Sequence, residues 1–236
     1  MPEEIQQGTL YVVPTPIGNL DDITARAVKI LTSVDLVAAE DTRTTKVLLD
    51  HLKIQKPLLS FFSQNETVRV PQLLGKLAEG LSVALVSDAG TPGISDPAHS
   101  IIAACIEAGI PIIPLPGPTA FVPVLVASGL PTRSFVFEGF LPNKKGRQTK
   151  LQQLKGEPRT IVLYESPHRI LKTLHDLRET LGDRDAVFGR ELTKKFEEIL
   201  RGTLSSLEQS LSSRPIKGEF VLIVSGADKI HRDKPD

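Results

Sequence analysis

Short apolar runs recur along the chain and alternate with stretches of about ten residues whose apolar positions follow helical spacing. Leu10-Tyr11-Val12-Val13 and Val83-Ala84-Leu85-Val86 are apolar at every position. A strand with one wet face alternates apolar and polar residues, whereas a continuous run suits a strand covered on both faces. Covered strands separated by helices join through crossovers into a mainly parallel sheet. The pattern therefore predicts an α/β fold.

Strands are expected at 10–13, 35–39, 58–62, 83–87 and 110–115. Helices are expected at 23–31 (capped by Asp21 or Asp22), 42–52, 70–79 and 98–108. Asp96-Pro97 offers a capping carboxylate and a first-turn proline for the last of these, and Gly109 closes it. Gly117-Pro118 is expected to open a short helix that ends near Gly129, before a linker at Gly129-Leu130-Pro131-Thr132. Beyond it, strands are expected at 135–138, 160–164, 186–189 and 220–224, with helices at 146–154, 167–181 and 204–211. The second group is richer in edge-like strands that suit antiparallel pairing. A chain of 236 residues has room for two such cores, and the boundaries expected are 1–130 and 131–236.

Net charge is zero, but its distribution is uneven: up to Thr132 there are 8 Lys/Arg against 13 Asp/Glu, a net of −5, and from Arg133 there are 20 against 15, a net of +5. That asymmetry hints at an anionic partner for the second half. Cys105 stands alone in an apolar helical stretch, which excludes a disulfide framework and suits a core residue. Met1-Pro2-Glu3-Glu4 is acidic with no apolar run behind it, and no run approaches the ~20 residues of a membrane span, so a cytoplasmic protein is expected.

No Gly-x-Gly-x-x-Gly follows the first strand, no phosphate-loop Gly-Lys-Ser/Thr occurs, and the histidines at 51, 99, 168, 175 and 231 lack ligand spacing. No metal is expected. Three small-residue turns follow predicted strands: Pro14-Thr15-Pro16-Ile17-Gly18-Asn19-Leu20, Ser87-Asp88-Ala89-Gly90-Thr91-Pro92-Gly93, and Leu115-Pro116-Gly117-Pro118-Thr119-Ala120. Parallel sheets bind ligands at those ends, and glycine lets backbone approach a ligand closely. Helix starts at Pro97 and Pro118 are expected to offer free amide donors. In the second half, Tyr164-Glu165-Ser166-Pro167-His168-Arg169 and Gly189-Arg190-Glu191-Leu192-Thr193-Lys194-Lys195 crowd titratable groups at strand ends. Asn143-Lys144-Lys145-Gly146-Arg147-Gln148-Thr149-Lys150 is a basic stretch that suits RNA phosphates or a solvated helix face.

The runs at 13–23, Ala39-Glu40-Asp41-Thr42-Arg43, the run at 87–97 and Tyr164-Glu165-Ser166-Pro167-His168-Arg169 together resemble the 16S ribosomal RNA 2′-O-methyltransferases of the tetrapyrrole methylase superfamily. The likeness runs from about Thr9 to Ser225. It implies two α/β domains of tetrapyrrole-methylase type with an S-adenosylmethionine cleft between them, a homodimer, and 2′-O-methylation of a cytidine in 16S ribosomal RNA of the small subunit, near the decoding centre. Carried onto this sequence, the family's cofactor contacts fall on Pro16, Asp88, Gly90, Thr91, Thr119, Ala120, Tyr164 and Leu192. Longer relatives carry a further C-terminal segment that this chain lacks. Glu165, Arg169 and Arg190 are the candidate catalytic residues: Glu165 as a general base that directly follows its predicted strand and is expected to point into the interdomain cleft, with the arginines on phosphates. His168, Glu191, Glu40 and Asp41 are further base candidates, and Arg43 a further phosphate clamp. A methyltransferase for a tetrapyrrole or another small molecule, and a non-catalytic RNA-binding module, are the alternatives.

Overall fold

The computed structural model describes residues 5–227, and these divide between Thr119 and Ala120 into two compact units. The acidic start at 1–4 and His231 lie outside the described residues. Among those described, no helix is long and apolar enough to cross a membrane.

The first unit is a five-stranded parallel sheet built from β1 (Leu10–Val12), β2 (Leu36–Ala39), β3 (Leu58–Ser60), β4 (Val83–Val86) and β5 (Ile112–Pro114), in the order β3-β2-β4-β1-β5. Four helices connect them: α1 (Ala25–Ser33), α2 (Thr42–His51), α3 (Glu66–Ala78) and α4 (His99–Glu107). Tyr11, Val37, Ala39, Ala84 and Val86 pack with Ala27, Ile30 and Leu31 of α1 and Leu49 of α2. Leu10, Leu36, Ala38, Val83 and Leu85 pack with Leu73 and Leu77 of α3 and Ile101 and Cys105 of α4. Successive strand residues thus serve opposite cores, which is why their sequence is apolar throughout. Full burial of each valine, leucine or isoleucine among them stabilises by about 1.5–3 kcal/mol.

Three helix starts in this stretch differ from expectation. Asn19 accepts from the Asp21 amide and closes a 3-10 turn at Leu20–Asp22, so the cap of α1 falls to Thr24, whose side chain accepts from the Ala27 amide. Neither Pro97 nor Pro118 opens a helix: α4 begins at His99 after an uncapped Ala98, and the next helix begins at Phe121. The chain before α4 is occupied with a turn that holds Gly93 and Ser95 at positive φ. The uncapped amides therefore fall at the starts of α4 and α5, two to three residues after those prolines.

The second unit contains α5 (Phe121–Ala127), β6 (Phe135–Phe140), α6 (Arg147–Lys155), β7 (Thr160–Glu165), α7 (Ile170–Leu181), β8 (Asp185–Arg190), β9 (Glu198–Thr203), α8 (Leu204–Ser212) and β10 (Phe220–Val224). Its sheet runs β6-β7-β10-β8-β9, with β6 parallel to β7 and the remaining pairs antiparallel. Leu151, Leu154, Leu174, Leu177, Leu207 and Leu211 bring α6, α7 and α8 onto one face. Helix α5 contacts β7, β8 and β10. A Cβ at Gly189 would stand 2.4 Å from a Val124 methyl, so glycine there admits the helix. This packing moves the boundary earlier than the Gly129 linker, since α5 belongs with the second sheet. The edge strand β9 was not foreseen.

Candidate active site

Because the first sheet is parallel, the carboxyl ends of its strands share one edge. The chain leaves β1 for α1 on one face and leaves neighbouring β4 for α4 on the other. Adjacent strands whose connections diverge in this way open a crevice at their ends. The turns after β1 and β4 are joined there. Thr15 and Gly90 exchange two backbone hydrogen bonds of 2.8 and 3.0 Å, and the Thr15 hydroxyl donates to the Ser87 carbonyl at 3.1 Å. Gly90 has φ +86°, which favours glycine, and a Cβ on it would sit 3.5 Å from Ile17 Cγ2 and 3.7 Å from the Pro118 carbonyl. The Thr91 hydroxyl donates to the Pro118 carbonyl at 2.8 Å and lies 2.8 Å from Thr119 Oγ1. Of the expected cofactor contacts, Gly90, Thr91 and Thr119 are thus brought together, with buried Pro16 beside Thr15 and exposed Asp88 at the start of the second turn.

The turn after β2 adds charge. Glu40 Oε2 accepts from the Asp88 amide at 3.3 Å, and Asp88 Oδ1 accepts from the Asp41 amide at 3.0 Å. Desolvation, with the negative charges of Asp88 and Asp41, raises the Glu40 pKa. Desolvation likewise raises that of Asp88, with Asp41 adding to it. Asp41 differs because Arg43 binds it through the side chain and the amide, which lowers its pKa to about 2. Arg43 is therefore committed to Asp41, although its side chain is largely exposed. The edge carries carboxylates that suit a cation and small-residue turns that suit a nucleoside.

In the second unit Glu165, expected to point into a cleft as a general base, is instead buried within its own unit. Its side chain is 1% exposed and turned towards α7. Oε1 accepts from the Ser166 amide at 2.8 Å and lies 3.3 Å from Arg169 Nε, while Oε2 accepts from the Thr173 hydroxyl at 2.6 Å. Arg169 also donates to the Leu141 carbonyl. A second cation, buried Arg147, joins this network: it donates to Thr173 at 2.9 Å, to Asp176 at 2.8 Å and to the Pro142 carbonyl. Arg147 is thus a core residue, and Lys150 pairs with Glu138 at 2.7 Å, so Lys144 and Lys145 are what remains exposed of the basic stretch's first cations.

Tyr164, next along β7, takes the α5 side. Its ring meets Phe137 edge-on at 5.2 Å, with Phe140 at 5.7 Å and Phe121 at 6.4 Å. That aromatic group was missed, although Phe135, Phe137 and Phe140 bunched on one strand could have signalled it. Ala120 directly precedes α5. Arg190 ends β8, 3.2 Å from Glu198, and Leu192 is buried in the following loop. Glu191 binds Lys194 at 3.1 Å and accepts from the Glu219 amide, and His168 is exposed.

The family model "Tetrapyrrole (Corrin/Porphyrin) Methylases" matches residues 9–208. A Synechocystis protein named ribosomal RNA small subunit methyltransferase I is 53% identical over 222 residues, covering 93% of this chain and 80% of its own. Proteins of the same name from Escherichia coli O157:H7 and Thermotoga maritima are 49% and 47% identical; the alignments cover 97% and 94% of this chain and 82% and 100% of theirs. Among solved structures, the methyltransferase CobJ aligns with a TM-score of 0.70 at 22% identity, covering 96% of this chain and 97% of its own. A uroporphyrin-III C-methyltransferase from Thermus thermophilus, complexed with S-adenosylhomocysteine, aligns at 0.65 and 18% identity, covering 94% and 100%.

Proposed function

The chain belongs to the tetrapyrrole methylase family and, within it, to the ribosomal RNA small subunit methyltransferase I group, and on that premise we propose that it methylates the 2′-hydroxyl of a cytidine in 16S ribosomal RNA near the decoding centre. The observation that carries the reading is the near-half identity, across almost the whole chain, with relatives bearing that name. The tetrapyrrole enzymes share the fold at much lower identity, so they support the architecture and not the substrate.

S-adenosylmethionine, when bound, supplies an electrophilic methyl on a sulfonium. The residues at the first unit's edge fit it. Gly90 holds a left-handed φ that a side chain would strain, the Thr15–Gly90 and Thr91–Thr119 bonds hold the turns together, and Glu40 and Asp88 favour positive charge. Pro16, Asp88, Gly90, Thr91 and Thr119 are the contacts we assign in that unit. Ala120, Tyr164 and Leu192 are those assigned in the second. Alignment of hydroxyl, methyl and sulfur should supply most of the acceleration in an in-line displacement.

For the proton, Glu165 is buried and fully engaged, Glu191 binds Lys194, and Asp41 is held by Arg43. Glu40, whose pKa is raised, and exposed His168 are the acceptors that remain. Glu165 becomes a positioning residue for Arg169, as Glu198 is for Arg190, with both guanidiniums proposed to hold phosphates. We place the enzyme in the cytoplasm as a homodimer, for which a sedimentation mass near the 25.7 kDa of one chain would be the contrary result. The deciding experiment supplies methyl-labelled cofactor with small ribosomal subunits that lack the modification, and with uroporphyrinogen. Label should enter a single cytidine ribose; label in the tetrapyrrole alone would reverse the assignment.

A further inference from the structure

The loop from β8 to β9 presents one aromatic ring to solvent. Phe196 is 65% exposed, and Lys195 stands with its ammonium 5.7 Å from the ring centroid. The loop that carries them is firmly tied. Leu192 is buried, the Lys194 amide donates to the Glu191 carbonyl at 3.0 Å, and the Glu197 amide donates to the Lys194 carbonyl at 3.1 Å. Glu197 also accepts from the Thr193 amide. The Glu191 carboxylate accepts from Lys194 and from the Glu219 amide, lying where a Cβ on Gly218 would come within 2.3 Å of it. Glu191 and Thr193 both adopt positive φ, at +48° and +65°. Non-glycine residues hold such conformations only where their surroundings over-determine them, and these collect at sites that must present something.

We propose that Phe196 is a stacking platform for an unpaired base of the RNA substrate, with Lys195 supplying positive charge beside it for the adjoining phosphate. This rests on the ribosomal RNA reading above and names how that substrate is gripped. Unstacked bases are held on exposed aromatic rings flanked by cations, because every base has a π-face and every nucleotide a phosphate. The second half's excess of Lys and Arg over Asp and Glu agrees with an anionic occupant. An apolar protein partner would be poorly matched to the lysine beside the ring.

The chain contains no tryptophan, so Phe196→Trp places a single reporter on the platform. A short single-stranded oligoribonucleotide, and small ribosomal subunits lacking the modification, should each quench its emission. Phe196→Ala and Phe196→Leu should raise KM for the subunits roughly ten-fold, with kcat and S-adenosylmethionine affinity little changed, and Phe196→Tyr should resemble the parent. Parental KM in the alanine variant together with an unquenched tryptophan would overturn the platform. So would a blue shift that grows with protein concentration in the absence of RNA, since it would assign the ring to a second copy of the chain. If the parent protein fails to methylate subunits, the functional reading falls, while the oligoribonucleotide titration still decides the platform.

Discussion

Replacing Glu165 by glutamine separates a catalytic from a positioning role. The carboxylate is buried and takes donors from the Ser166 amide, the Thr173 hydroxyl and Arg169. Glutamine offers one oxygen and one NH2 group, so one of these donors must face another donor or turn away. A hydrogen bond to a charged group contributes about 1.5–3 kcal/mol, and leaving a buried donor unmatched costs a similar amount. Arg169 is about a quarter exposed, so water offsets part of its loss. The net cost should be about 2–3 kcal/mol, which at roughly 4 °C per kcal/mol lowers Tm by about 8–12 °C in a unit of this size. Calorimetry reads this directly, and methyl transfer below the transition reads the chemistry. Saturating turnover should stay within about ten-fold of the parent, well short of the upper part of the ~10²–10⁴-fold expected for a lost general base. A hundred-fold fall in kcat that recovers at high pH, with Tm unchanged, would refute the positioning role.

Glu40→Gln keeps an acceptor for the Asp88 amide and removes a carboxylate whose pKa is raised by desolvation, so it should stabilise the protein at pH 7. The ionised form is what folding penalises; the advantage should therefore narrow as pH falls through the raised pKa and vanish below the ordinary 4.5, in thermal melts run across that window, while cofactor affinity weakens. Lys144→Glu with Lys145→Glu should weaken RNA binding and lower its salt slope by about one unit per lost phosphate contact, as filter binding at graded salt would show. Arg147→Glu should instead unfold the second unit, because it buries a carboxylate beside Asp176. Gly189→Ala should cost about 1–3 kcal/mol through overpacking against Val124, with partial recovery on adding Val124→Ala in a denaturation cycle.

The parallel sheet was legible because burial on both faces writes itself into unbroken apolar runs such as Val83-Ala84-Leu85-Val86. Strand β9 was not, because Glu198-Ile199-Leu200-Arg201-Gly202-Thr203 lies at an edge and only partly buried, so its composition carries little strand signal. Turn positions at the first unit's edge were readable from glycine and proline. Side-chain direction was not. That Glu165 turns to α7 rather than into a cleft depends on the β7 register and on Thr173 waiting beneath it. Arg147 reads as one more cation in a basic run until Asp176, almost thirty positions away, is seen to claim it.

Strand β10 lies between β7 and β8 and pairs with both, yet among the described residues it comes after every other strand. Synthesis proceeds from the amino end, so the first unit can complete its sheet while the second is still emerging. The second cannot. Until residues 220–224 leave the ribosome, β7 and β8 each carry an unpaired edge, and unpaired edges invite pairing with other chains. Chaperone demand should therefore be concentrated in the interval between the release of β8 and that of β10. Slowing translation within that interval should lower the soluble yield, and slowing it before Thr119 should not.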